Sequence, residues 1–148
     1  MGDSELLLIA CAVLYCFCMG ASWMLQVVCY PTYALVGEKE FVPFHVSFGR
    51  RLLIVVIPMI LTAIATFVLV FTRPEATPVW ATLAVAVCSA VILGTTIILE
   101  VPKHMQLDKD GKSDTLIAAL VRDNLPRTAS WTLGSLLLAY MVVVTFGG

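Results

Sequence analysis

Gly94-Thr95-Thr96-Ile97-Ile98-Leu99-Glu100-Val101-Pro102-Lys103-His104-Met105-Gln106-Leu107 is the stretch on which the reading of this chain turns. It begins inside residues 76–99, a run with no Asp, Glu, Lys or Arg. It leaves that run through a carboxylate, a proline, a cation and an imidazole. A spanning helix needs roughly 20 apolar residues, so the run can cross a bilayer. Residues 6–37, 52–72 and 128–148 are equally free of charge and equally able to cross. With 60% hydrophobic and 13% charged residues, an ordinary water-soluble domain is excluded. The expected fold class is all-α: an integral membrane four-helix bundle in which residues 1–148 form a single four-span domain.

The basic residues set the expected orientation. Lys39, Arg50 and Arg51 fall between spans one and two, and Lys103, Lys109, Lys112, Arg122 and Arg127 between spans three and four. The middle connection has only Arg73. The first and third connections are thus expected at the cytoplasmic face of a plasma or inner membrane, with both termini outside. The start, Met1-Gly2-Asp3-Ser4-Glu5, is acidic and the apolar run behind it is long, so it reads as a retained first span and not a signal peptide. The cysteines, Cys11, Cys16, Cys18, Cys29 and Cys88, include no Cys-x-x-Cys pair, which argues against thiol–disulfide exchange and for apolar packing. A net charge of −1 with no basic stripe gives no sign of nucleic-acid binding.

Trp23, Gln26 and Tyr30 follow i, i+3, i+7 spacing, which puts them on one face of an unbroken α-helix. Pro31 is expected to end that helix. Residues 41–48 are apolar around His45 and are expected to lie on the membrane or dip into the bundle. Pro58 should kink span two. Ala86, Ala90 and Gly94 form a small-residue seam expected to face another helix. Residues 108–112 read as an exposed turn, and Ser113 as an N-cap. Leu116, Ile117, Leu120 and Val121 share one stripe, expected to form a short interfacial amphipathic helix between spans three and four. Asn124 and Pro126 then open span four.

The polar residues gather at one end. Trp23, Gln26, Tyr30, His45, Arg51, Glu100, His104, Asn124, Arg127 and Trp131 all come from the inner ends of spans or the inner connections. Glu100 is the sharpest pointer, because an ionisable group at the edge of a span is a site hypothesis by default. Its other reading is a salt bridge to Arg51 or Arg127. His45, Glu100 and His104 supply two imidazoles and a carboxylate, an open-sided metal set suited to iron, with zinc as the alternative. The same groups could shuttle protons. Arg51 and Arg127 would hold an anionic group; Trp23, Tyr30 and Trp131 would pack against apolar substrate, with Gln26 and Asn124 as polar contacts.

Tyr30-Pro31 closing span one, Pro102-x-His104-x-x-Leu107 after span three, and Asn124-x-x-Arg127-Thr128 with Trp131 opening span four resemble the small four-span membrane proteins of the anthrone-oxygenase-like family. The resemblance implies the four-helix architecture. Some fungal relatives oxidise polycyclic anthrones to quinones. Where this chain has His104 the family motif usually has Asn. Asn124 and Arg127 match as pattern positions, with no catalytic role implied.

The leading functional expectation is a membrane-embedded oxidoreductase or oxygenase acting on an apolar or amphipathic substrate at the cytoplasmic face. The alternative is a structural or assembly subunit whose polar cluster only holds the helices together. A transporter ranks last, since no span has a carboxylate at its middle. Candidate partners are the lipid bilayer, an apolar or amphipathic small molecule and a further copy of the chain.

Overall fold

The computed structural model describes residues 1–147. Four helices, long and apolar enough to cross a membrane, make up almost all of it: α1 (Asp3–Leu35), α2 (Glu38–Thr72), α3 (Val79–Asp110) and α4 (Asp114–Phe146). The links between them are short, so consecutive helices run antiparallel. α1 packs on α2 and α4, and α3 packs on α2 and α4, giving an up-down-up-down bundle. Each helix has 32 to 35 residues. At about 1.5 Å per residue each is close to 50 Å long, well beyond a hydrocarbon core of roughly 30 Å. The polar ends of the helices therefore extend past the apolar belt as helix, not as loop.

This corrects three expectations. First, Pro31 does not end α1; α3 likewise runs on through Pro102. Both helices widen into a π turn just before the proline, at Leu25–Cys29 and at Thr95–Glu100. The Tyr30 N–H bonds the Leu25 carbonyl, and the Val101 N–H bonds the Thr96 carbonyl, five residues back in each case. The wider turn shifts the carbonyls that a proline ring would strike and could not bond. The Thr32 hydroxyl donates to the carbonyls of Cys29 (2.8 Å) and Val28 in the adjoining turn, and Lys103 Nζ reaches the Leu99 carbonyl at 2.7 Å. Second, residues 41–48 are not part of a connection but early turns of α2, with Pro43 inside the helix; Phe41 and His45 dip into the bundle, as one of the two expected placements has it. Third, the stripe expected to form a separate interfacial helix is the start of α4, which runs through Asn124 and Pro126 without a break. Ile117 and Leu120 are buried against Tyr30, Tyr33, Phe41 and Leu107, so the stripe faces the bundle.

Two cores stack along the bundle. One holds Leu8, Cys11, Tyr15, Cys18, Met59, Val85, Trp131 and Leu138. Here Tyr15 meets Trp131 edge-on at 4.3 Å, bonds Ser89 at 2.9 Å, and lies so close to Gly134 that a Cβ there would overlap its ring. The other holds Leu25, Tyr30, Tyr33, Phe41, Leu107, Ile117 and Leu120. The seam of Ala86, Ala90 and Gly94 is not part of either: Ala90 is exposed and a Cβ on Gly94 would meet nothing. α3 turns Val85, Cys88, Ser89, Ile92 and Thr96 inward instead.

The first and third links lie at the same end, as the distribution of charge led us to expect. Lys112 Nζ donates to the carbonyls of Ala34 (2.7 Å) and Val36 (2.9 Å), placing a cation on the C-terminus of α1. Beside it Ser113 caps α4 by accepting from Leu116 N at 3.3 Å. Ser113→Ala should cost about 1 kcal/mol of stability, read as a lowered thermal midpoint. An unchanged midpoint would show that Lys112 alone holds this corner.

Candidate functional site

The second π turn decides where Glu100 points. A π turn carries one residue more than an α turn, so the helix beyond it is rotated about its axis. Ile97 and Ile98 remain exposed while Glu100 turns inward, only 1% exposed. Val101 keeps helical geometry (φ −55°, ψ −46°) ahead of Pro102. His104 therefore follows one turn later, on the same wall as Glu100. The first π turn acts likewise in α1. Trp23 is 41% exposed and Tyr30 is 1% exposed, so the face predicted from regular α spacing is broken between them.

Glu100 and His104 line a cavity of about 190 Å³ between α2 and α3. Tyr30 and Arg127 close it at the back; His45, Gly49, Leu52, Leu53 and Val56 form the α2 wall. Both Glu100 carboxylate oxygens and Arg127 Nε are buried with no hydrogen-bond partner. Among the described residues no ion pair joins Glu100 to Arg127 or to Arg51. A buried carboxylate with two unused oxygens is costly, and its presence beside a cavity points to something that fills the cavity.

A chain of hydrogen bonds runs from this cavity to the surface. Asp108, whose side chain is 44% exposed, accepts from His45 Nδ1 at 2.6 Å. That donation leaves His45 Nε2 bare in the neutral ring, so it accepts from His104 Nδ1 at 3.0 Å. His104 Nε2 is then the acceptor that faces the Tyr30 hydroxyl, at 3.5 Å, the limit of a hydrogen bond. Arg127 Nη2 donates to the same Tyr30 oxygen at 3.3 Å. With His45 neutral, every donor in the chain points outward, from Tyr30 toward Asp108. The rings are held by stacking: His45 lies on Phe41 (13° between planes) and on His104 (22°), with Tyr33 edge-on to His45.

The structure brings together Tyr30, His45, Glu100, His104 and Arg127 and separates the rest. The expected metal set of His45, Glu100 and His104 does not form. The imidazoles spend their facing nitrogens on each other, and among the described residues no three His, Cys, Asp or Glu side chains are grouped to hold an ion. Gln26 and Asn124 make an interhelical clasp. Asn124 Nδ2 donates to Gln26 Oε1 (2.6 Å) and to Thr128 Oγ1 (3.1 Å), and Gln26 Nε2 donates to the Val121 carbonyl (2.9 Å). Ser22 joins the clasp through Thr128 at 2.8 Å. Trp23 bonds Thr132 on the outside of the bundle at 3.0 Å. Trp131 lies in the other core, and Arg51 is exposed beside grooves on the far side of α2. Asp108 and Gly49 were not foreseen. Asp108 stands four residues after His104, the spacing that stacks two side chains on one helix face, and that was the signal available for it.

Comparison with family models, with curated proteins and with solved structures finds no match for this chain.

Proposed function

We propose that this protein is a membrane-embedded enzyme that moves a proton on a small amphipathic molecule held between α2 and α3. The observation that carries this reading is Glu100: a buried carboxylate with both oxygens unpartnered, facing a cavity. Such a group accepts a hydrogen bond or a proton from whatever enters. Arg127 in the same cavity is placed to stabilise negative charge that develops on the substrate or on Tyr30. Tyr30, His104, His45 and Asp108 then carry the proton to or from the aqueous rim. Exposed apolar side chains, Leu53, Val101 and Met105, rim the cavity on its α2 and α3 sides. A substrate would enter past them from the bilayer. The rim bearing Lys39, Lys109 and Lys112 is assigned to the cytoplasmic face, and the membrane to the plasma or inner membrane.

The oxidative chemistry of the anthrone-oxygenase-like proteins begins with a substrate whose C–H bond is acidic, which suits a site of this kind. The test uses anthrone offered to the protein in liposomes. Exchange of its methylene hydrogens in deuterated buffer, and quinone formation in air, should both exceed the rates in empty liposomes. Glu100→Gln should remove about a hundredfold of that acceleration or more. Exchange no faster than in empty liposomes would count against proton abstraction. The second reading, a structural subunit, is favoured by one observation: the Gln26–Asn124–Thr128 clasp ties α1 to α4 through hydrogen bonds within the protein, and none of the three residues lines the cavity.

A further inference from the structure

We infer that the cavity between α2 and α3 is built for the hydroxyl group of an uncharged amphiphile, an alcohol, phenol or enol whose apolar remainder stays in the bilayer. The inference rests on the reading of this cavity as a small-molecule site and adds the chemical class of the ligand.

The argument is one of charge and hydrogen-bond count. Glu100 offers two buried acceptor oxygens, and Arg127 a buried donor, Nε, all without partners. Both residues line the same space, yet no salt bridge joins them. A hydroxyl serves both residues at once: its one hydrogen goes to a Glu100 oxygen while its lone pairs accept from Arg127 Nε. An ammonium head would satisfy Glu100 but face Arg127. A carboxylate head would satisfy Arg127 but face Glu100. Neither charge can be screened by water in a buried site. Lys103 does not alter the balance, because its ammonium is held by Asp123 (2.9 Å) and the Leu99 carbonyl. Size agrees. An engineered apolar cavity of about 150 Å³ holds benzene, so about 190 Å³ here takes a head group and little more. The rest of the molecule must pass Leu53, Val101 and Met105.

Gly49 supplies the test. It lines the cavity, and a Cβ built on it meets no atom within 4 Å, so a larger side chain would enter empty space without pushing the protein aside. The experiment is native mass spectrometry of the detergent-solubilised protein with dodecanol, dodecane, dodecylamine and dodecanoate. Dodecanol should bind at least about tenfold more tightly than dodecane, and more tightly than either charged probe. Gly49→Leu should abolish this binding and Gly49→Ala reduce it, both with unchanged helicity. Glu100→Gln should shift the preference toward dodecanoate, since it removes the buried acid opposite Arg127 and leaves Asp108, already bonded to His45, as the one carboxylate on the lining. If dodecane equals dodecanol, or a charged probe binds best while Gly49→Leu still blocks it, the hydroxyl assignment is wrong and the cavity remains a ligand site. If Gly49→Leu changes the binding of none of the four probes, the cavity is no ligand site and both readings fall.

Discussion

Arg127→Leu is expected to destabilise the bundle by about 3 kcal/mol, because it takes away the guanidinium that shares the buried cavity with the Glu100 carboxylate. Arg127 is 4% exposed and Glu100 1%, so bulk water cannot take over the role of the guanidinium. The change also removes the donor to the Tyr30 hydroxyl. The two losses can be told apart. If the stranded charge dominates, adding Glu100→Gln to Arg127→Leu should restore most of the lost stability, since the double variant buries an amide in place of an ion. If the Tyr30 contact dominates, the double variant should stay as weak as the single one. Unfolding free energies measured by steric trapping in bicelles would give all four corners of the cycle. An Arg127→Leu protein as stable as the wild type would show that the two residues do not sense each other, and would remove the electrostatic basis of the site.

That Glu100 and Arg127 lie at one end of the bundle was legible in the chain, but the salt bridge that was the other reading of Glu100 does not form among the described residues. Four runs without Asp, Glu, Lys or Arg foretold four long helices, and the bias of basic residues put links one and three together, where Lys112 now reaches Ala34 and Val36. The clustering of Tyr30, His45, Glu100, His104 and Arg127 followed from topology alone. What failed was phase. Regular α periodicity cannot anticipate the π turns before Pro31 and Pro102, since rules for proline describe a standard helix and say only that it is strained. One extra residue in each turn moved Trp23 out and Glu100 in. The rule that proline ends a helix also hid the continuity of α4 through Pro126. Asp108 was hidden by composition, because Asp108-Lys109-Asp110-Gly111-Lys112 has the polarity of a turn, whereas the helix runs to Asp110 and the chain leaves it at Gly111, at φ +87°.

Trp131→Ala is expected to cost about 3 kcal/mol, and it separates the scaffold from the site. The ring is fully buried, edge-on to Tyr15, whose own hydroxyl is tied to Ser89 and through Ser89 to Thr66 at 2.7 Å. For the membrane bundle proposed above, the alternative environment of an apolar side chain is lipid, so burial from water would contribute little to helix association. The cost lies in the dispersion attraction that the indole no longer supplies to its neighbours, and in the freedom that Tyr15 gains. Collapse into the space is hindered because Tyr15 already rests against Gly134. Trp131→Phe should be far milder, under about 1.5 kcal/mol, since it keeps an aromatic partner for Tyr15 and deletes an indole N–H that has no acceptor. Dodecanol binding should be the same in Trp131→Phe as in the wild type. A large loss of binding there would mean that Trp131 reaches the ligand after all, and that the two cores act as one. Equal binding with lowered stability in Trp131→Ala would confirm that the far core only holds the helices in place, while recognition is confined to the space behind the second π turn.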